Sequence, residues 1–174
     1  SKGVMMGMIT CEMAPEEALK RLGAVPGYGS QDFVRQVSTP ELYEWDSTSA
    51  PSPRHPIVVM DCGLKFNILR LLTRMGYKPI AVPVNTSAEE ILSLKPEGIV
   101  LSPGPGDPAQ LGYAIDTIKI LAREKPIMGI CLGHQLLGQA LGGRTYKLKF
   151  GHHGGNHPVQ LLATGATAIS APPI

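Results

Sequence analysis

The chain has 174 residues, of which 43% are apolar and 17% are charged, and its formal net charge is +2. This length is typical of one domain with at most a small attachment, and the composition excludes a disordered acidic or basic chain. The nearly balanced charge offers nucleic acid no electrostatic attraction, which disfavours DNA or RNA as a partner. The apolar stretches are well below the ~18 residues of a membrane-spanning helix, so we expect a soluble protein.

The three cysteines, Cys11, Cys62 and Cys131, are odd in number, far apart, and without CxxC or CxxH spacing. This pattern indicates neither a disulfide framework nor a zinc site. The first residues show no targeting signal. A reducing, cytoplasmic location is therefore expected.

A segment rich in Pro and Ser, STSAPSPRHP at residues 47–56, is interpreted as a linker. Residues 1–46 before it contain one predicted helix, from Pro15 to Leu22, with its apolar residues on one side. So little periodic apolar pattern predicts no independent core.

After the linker, apolar runs of strand length alternate with segments of helical period, which predicts βαβ units. The runs are Ile57–Asp61, Pro79–Val84, Gly98–Ser102 and Pro126–Ile130. The predicted fold class is α/β, with an open, doubly wound, mostly parallel sheet and helices on both faces over residues 57–174. Ligands of such sheets bind beyond the carboxyl ends of the strands.

Four helices are predicted between and after these strands. One begins with a capping box from Ser87 to Glu90. One ends at Gly76 and carries on a single face the residues Ile68, Leu71, Leu72 and Met75. The other two are marked by apolar residues at helical spacing, namely Ile115, Ile118, Leu121 and Ala122, and then Leu136, Leu137, Ala140 and Leu141.

The segment GICLGHQ (Gly129–Gln135) has the G-x-C-x-G pattern of a nucleophile elbow between a strand and a helix. Gly129 and Gly133 leave room for the sharp turn, which puts the sulfur of Cys131 at a helix N-terminus, where the thiolate is favoured. The same turn directs the Leu132 amide toward an oxyanion above the sulfur. The alternative for any such cysteine is a small core residue, and the flanking glycines favour Cys131 over the other two cysteines.

The segment SPGPGDP (Ser102–Pro108) follows the third predicted strand. Pro103 and Pro105 stiffen it, while Gly104 and Gly106 expose backbone that can donate to an oxyanion or approach a small ligand. It has neither the ending of a P-loop nor the G-x-G-x-x-G of a dinucleotide site. An ordinary tight connection is the alternative.

Other polar residues near these segments are also candidate site residues. His134 lies about one helical turn beyond Cys131 and is a poor general base for it, whereas Gln135 is better placed to reach a substrate. A histidine cluster invites a metal site, but no carboxylate or cysteine joins it and its glycines suit a turn, so we expect no metal there. The cluster is formed by His152, His153 and His157.

These motifs carry a resemblance to a known family. In order, DCGLKFNILR (Asp61–Arg70), SPGPGDP, GICLGHQ and GHHGGNHPV (Gly151–Val159) resemble the class I glutamine amidotransferase domain of carbamoyl phosphate synthetase small chains. The segment PGYGSQDFVRQVSTPELYEW (Pro26–Trp45) is similar to the end of that family's amino-terminal domain. The resemblance implies that residues 1–46 are a remnant of that domain and that residues 57–174 are an amidotransferase domain, incomplete at its C-terminus.

The resemblance implies the glutamine-hydrolysing chain of a heterodimeric ligase of arginine and pyrimidine biosynthesis. Cys131 matches the family nucleophile, which attacks the side-chain amide of glutamine to give a thioester and ammonia. Gly104 and the Leu132 amide match the oxyanion-hole positions, and Gly106 and Gln135 match residues that line the glutamine pocket. Ammonia then passes to the large synthetase chain, where ATP and Mg are expected; no cofactor is implied in this chain.

Two family segments are not found in the sequence: an FHPE-type segment with the catalytic His and Glu, and an NHGF-type segment that holds the substrate. Because losing catalytic partners costs on the order of a millionfold in triad hydrolases, we expect the chain as given to hydrolyse glutamine very slowly. Two alternatives stay open. One is a non-catalytic, amidotransferase-like binding or scaffold module, and the other is another class I amidotransferase or a cysteine peptidase on the same fold.

Overall fold

A computed structural model describes residues 6–45, 55–148 and 157–170. Met8–Thr145 form one compact unit. Its helices are α1 (Pro15–Ala24), α2 (Val34–Val37), α3 (Phe66–Arg74), α4 (Ala88–Ser93), α5 (Gly112–Glu124) and α6 (Leu132–Ala140). Its strands are β1 (Tyr43–Glu44), β2 (His55–Asp61), β3 (Tyr77–Pro83), β4 (Gly98–Leu101) and β5 (Ile127–Gly129). Across the described ranges, no helix has the length and apolar character needed to cross a bilayer.

The second unit is described by itself. It contains residues 1–7 and 146–174, and its described part includes β6 (His157–Gln160) and β7 (Thr167–Ser170). These two strands pair as an antiparallel hairpin.

A five-stranded sheet with the order β1-β3-β2-β4-β5 organises the larger unit. Strands β2 to β5 are parallel, and β1 pairs antiparallel with β3 at one edge. The chain moves from β2 to β3 on one side and then to β4 on the other, so the sheet is doubly wound. The predicted α/β fold is confirmed, and the switch point at which such sheets bind ligands lies between β2 and β4.

The core lies on both faces of this sheet. On one face, alternate residues of β2, β3 and β4 pack against α4, α5 and α6, among them Val58, Met60, Val82 and Leu101. On the other face, Val59 and Val100 pack against α3. Because both faces are covered, the strands read as continuous apolar runs, and all four predicted strands form with ends shifted by one or two residues.

The face that helix α3 turns toward the sheet overlaps only in part with the predicted one. Leu69 and Thr73 are buried, whereas Leu71 and Met75 are 48% and 69% exposed. The Thr73 hydroxyl donates to the Leu69 carbonyl at 2.9 Å, which satisfies this polar group inside the core. The predicted face is therefore correct in part: Ile68 and Leu72 are half-buried and Leu72 packs against the core, whereas Leu71 and Met75 lie outside the buried stripe.

The capping box predicted at the start of α4 is present. The Glu90 amide donates to the Ser87 hydroxyl at 3.2 Å, and the Ser87 amide donates to the Glu90 carboxylate at 2.9 Å. The hydrogen bonds from the Ser87 side chain and backbone lower the pKa of Glu90. Two amide donors at the helix start thereby find partners.

We expect Ser87→Ala to lower the free energy of unfolding by about 1 kcal/mol near neutral pH. A carboxylate whose pKa is lowered by folding stabilises the protein above its unfolded-state pKa, and this contribution is lost as the pH falls through its folded-state pKa. Urea unfolding should therefore show a smaller difference between wild type and Ser87→Ala in acid than at neutral pH. A difference that grows on acidification would contradict this assignment.

Candidate active site

Cys131 occupies a sharp turn between β5 and α6. It directly precedes α6, and its backbone angles are φ 52° and ψ −110°. Few residues other than glycine adopt a positive φ, and such strain costs of order 1–3 kcal/mol and is concentrated at functional sites. The residue is exposed. A strained turn between a strand and a helix is the geometry of a nucleophile elbow.

Gly129 and Gly133 allow the backbone of this turn to pack without intervening side chains. A Cβ on Gly129 would lie 2.5 Å from backbone atoms of Gly133 and His134. A Cβ on Gly133 would overlap the carbonyl oxygen of Leu101, at the end of β4. Both glycines that were predicted to make room for the elbow therefore stand where only glycine fits.

The loops that follow β2 and β4 touch each other beside the elbow. A Cβ on Gly104 would overlap the carbonyl oxygen of Cys62 and lie 2.9 Å from the Leu132 side chain. Gly63 has a φ of +131°, and a Cβ there would lie 3.1 Å from the Gly104 Cα. Gly104 and Leu132, the two candidate oxyanion-hole residues, are thus neighbours, and Leu132 directly follows Cys131.

The two residues predicted to line a glutamine pocket lie on different elements. Gly106 has a φ of +94°, and a Cβ there would lie 3.5 Å from the Phe33 ring and 4.0 Å from the Gln31 carbonyl oxygen. Gln135 is exposed in the first turn of α6. Its backbone amide donates to the Cys131 carbonyl at 3.1 Å. The contact of Gly106 with the chain before the linker was not predicted from the sequence.

Side-chain contacts also connect the chain before the linker to helix α5. The Tyr113 hydroxyl donates to the Asp32 carboxylate at 2.9 Å. Arg35 pairs with Asp32 at 3.3 Å, and its guanidinium lies 4.4 Å from the Tyr113 ring centre. Burial, and then the bond to Asp32, raise the pKa of Tyr113 to about 12, against the opposing effect of Arg35. Phe33, next to Asp32, is thereby held near Gly106.

Ser102 is a buried polar residue whose role in the site was not predicted from the sequence. Its hydroxyl accepts a hydrogen bond from the Cys62 amide at 2.8 Å and donates to the Pro103 carbonyl at 2.9 Å. It therefore joins the loop after β2 to the loop after β4. A lone hydroxyl at the end of an apolar run, directly before a Gly/Pro loop, is the sequence signal that could have identified it.

Asp61 is the second such residue, and it is only 6% exposed. Its carboxylate accepts hydrogen bonds from the amides of Thr39, Gly63 and Leu64 at 2.9, 2.8 and 2.7 Å. A buried carboxylate requires such donors. Its position after four apolar strand residues was visible in the sequence, but its partner Thr39 was not.

The three cysteines are free and differ in environment: Cys11 and Cys131 are exposed, and Cys62 is buried. Burial, with a smaller contribution from nearby carboxylates, raises the pKa of Cys62 to about 12. Cys62 is therefore a neutral thiol near pH 7 and a poor nucleophile.

We expect iodoacetamide to modify Cys11 and Cys131 in the folded protein while Cys62 is protected. Alkylation requires that the thiol ionise and that the reagent reach the sulfur. The Cys62 thiol stays neutral near pH 7 and is buried, so it meets neither requirement. Peptide mass spectrometry before and after denaturation measures the difference, and Cys62 should react only after denaturation. Rapid modification of Cys62 in the native chain would contradict the buried position.

Only one of the histidines weighed from the sequence has a described side chain. His134 is exposed in the first turn of α6, and no side-chain hydrogen bond to the Cys131 sulfur is present in the described part of the chain. His152 and His153 lie outside the described residues, as does the side chain of His157. In the ranges that are described, no three side chains are grouped as metal ligands.

Comparison with known proteins identifies the family. The family model for glutamine amidotransferase class-I matches residues 58–171. The chain belongs to the class I glutamine amidotransferase family. The matched range includes the segments Ser102–Pro108 and Gly129–Gln135, the second of which contains Cys131.

Carbamoyl phosphate synthase small chains are similar to nearly the whole chain. Those of Photorhabdus laumondii, Pasteurella multocida and Aquifex aeolicus are 45%, 45% and 44% identical to it, and each alignment covers 98% of this chain. The same alignments cover 48%, 47% and 48% of the relatives. The resemblance stated from the motifs is confirmed, and the chain spans about half the length of the curated relatives it matches.

Proposed function

We propose that this chain carries the glutamine-hydrolysing site of a carbamoyl phosphate synthase small chain, with Cys131 as the nucleophile. The observation that supports this most is the exposed cysteine in a strained turn at the start of α6, next to the contact between Leu132 and Gly104. Similarity over 98% of this chain to a small chain of that synthase supports the choice of glutamine as substrate.

The proposed reaction begins at the sulfur. As a thiolate, Cys131 attacks the carbonyl carbon of the glutamine side-chain amide, and the negative charge moves to the amide oxygen. Backbone amides of Leu132 and Gly104 then donate to that oxyanion, and the positive end of the α6 dipole adds a favourable field. The nitrogen takes up a proton, the C–N bond breaks and ammonia leaves. Water then hydrolyses the γ-glutamyl thioester to glutamate and returns the Cys131 thiol.

The substrate is proposed to lie between the loop after β4 and the start of α6. Gly106 leaves backbone accessible there because it has no side chain, and Phe33 limits that side of the space. The Gln135 side chain is exposed one helical turn from Cys131 and is proposed to hydrogen-bond to glutamine. Polar groups of this kind orient a ligand in a pocket.

The general base is proposed to come from the FHPE-type segment of the family, which the 174 residues do not contain. By themselves they should therefore hydrolyse glutamine very slowly.

Ammonia is proposed to pass to a large synthetase chain that binds ATP and Mg. Three free cysteines support a reducing, cytoplasmic location.

Labelling with the chloroketone analogue of glutamine tests this proposal. The reagent should modify Cys131, glutamine should slow the modification, and Cys131→Ser should remove it. Cys11→Ser is the matched control, because it removes the other exposed thiol and should leave the labelling unchanged. Absence of labelling would favour a binding or scaffold module, and turnover of peptides instead of glutamine would favour a peptidase.

A further inference from the structure

The carboxylate of Asp61 joins two separate segments at the carboxyl end of β2. Its Oδ1 accepts from the amides of Gly63 and Leu64, which closes the turn that follows the strand. Its Oδ2 accepts from the amide of Thr39, which lies 22 residues earlier in the sequence. Hydrogen bonds to an ionised carboxylate are stronger than neutral ones, so this residue fixes the turn from both sides.

The turn that Asp61 holds is in direct backbone contact with the candidate oxyanion loop. No side chain separates the carbonyl of Cys62 from Gly104, and the Cα of Gly104 lies 3.1 Å from the Cβ position of Gly63. Ser102 adds a hydrogen bond between the same two loops. Close-packed backbone transmits displacement, so a shift of the turn would shift Gly104.

We propose that Asp61 is a positioning residue for the oxyanion loop: it holds the turn of residues 62–64 against Gly104 and so fixes the Gly104 amide, which the proposed function assigns as an oxyanion donor. This inference rests on the proposed function. Oxyanion donors act only when placed within about 0.5 Å of the productive geometry. Loss of Asp61 should therefore impair chemistry that develops an oxyanion and leave the reactivity of the sulfur itself unchanged.

Two reagents that modify the same atom, the Cys131 sulfur, distinguish a loss of oxyanion stabilisation from a loss of sulfur reactivity. Addition of the sulfur to the ketone carbon of the glutamine chloroketone creates an oxyanion. The sulfur then displaces chloride from the adjacent methylene carbon, the first C–S bond breaks as the ketone re-forms, and a thioether results. Iodoacetamide forms a thioether by direct displacement of iodide, without an oxyanion. The ratio of the two second-order rate constants at Cys131, measured by peptide mass spectrometry, therefore reports on the oxyanion loop.

We expect Asp61→Ala to lower this ratio by roughly tenfold or more, since removing an oxyanion donor costs ~10²–10³ in known enzymes. Asp61→Asn should lower it less. Its amide oxygen is able to keep the bonds to Gly63 and Leu64, while its NH₂ group faces the Thr39 amide as a second donor. This graded order is the signature of positioning through both carboxylate oxygens.

Ile91→Val is the matched control, because Ile91 is a fully buried residue of α4, a helix that contributes to neither loop, and its truncation lowers stability. It should leave the ratio unchanged. A wild-type ratio in both Asp61 variants, or an equal fall of both rate constants, would overturn the inference. If Asp61→Ala does not fold, Asp61→Asn decides. Failure of the chloroketone to label wild-type Cys131 would instead refute the proposed function.

Discussion

Gly133→Ala is expected to lower the free energy of unfolding by about 1–3 kcal/mol or more. The added Cβ would overlap the carbonyl oxygen of Leu101 and lie 2.6 and 2.7 Å from its Cβ and carbonyl carbon. These atoms belong to a central strand, so relief requires that α6 move away from β4. Such a movement would also displace Cys131, and labelling by the glutamine chloroketone should be lost.

Gly138→Ala in the same helix is the matched control for this substitution. A Cβ on Gly138 meets nothing within 4 Å, and alanine in a helix interior is favoured over glycine by roughly 0.5–1 kcal/mol. We therefore expect this variant to be as stable as wild type or slightly more stable in urea unfolding. Equal stability of the two alanine variants would contradict the close approach of α6 to β4.

Cys131→Ser is expected to reduce ammonia release from glutamine to the uncatalysed background. A serine hydroxyl is a weak nucleophile without an adjacent base. Because the FHPE-type segment with the catalytic His and Glu is not among the 174 residues, the wild-type rate is already low, and the substitution removes only that residual rate above background. Because Cys131 is exposed, the substitution should leave the unfolding transition unchanged. A coupled ammonia assay with L-glutamine measures the rate.

Cys11→Ser again provides the comparison, since Cys11 is also an exposed thiol. It should retain the wild-type rate of ammonia release. Activity that survives in Cys131→Ser, or that disappears in Cys11→Ser, would assign the chemistry to another residue.

The elements that could be predicted from the sequence are those whose pattern is local. The central parts of β2, β3 and β4 are continuous apolar runs because both faces of the sheet are covered there. The elbow could be predicted because its close backbone contacts require glycine at two positions, Gly129 and Gly133. The capping box depends only on Ser87 and Glu90, three residues apart.

The features that the sequence did not predict depend on distant partners. Strand β1 has two residues, too few for a periodic pattern, and it exists because β3 offers an edge. The bond from Thr39 to Asp61 and the packing of Phe33 near Gly106 join the chain before the linker to the candidate site. Neither contact leaves a spacing in the sequence, because each is set by how the sheet brings separate segments together.

Capture of the thioester with hydroxylamine tests the central claim most directly. If the Cys131 sulfur attacks the glutamine amide, hydroxylamine should convert the resulting thioester to γ-glutamyl hydroxamate, and this product should be absent with Cys131→Ser and present with Cys11→Ser. Ammonia release without any hydroxamate, or equal hydroxamate formation by Cys131→Ser, would contradict the account.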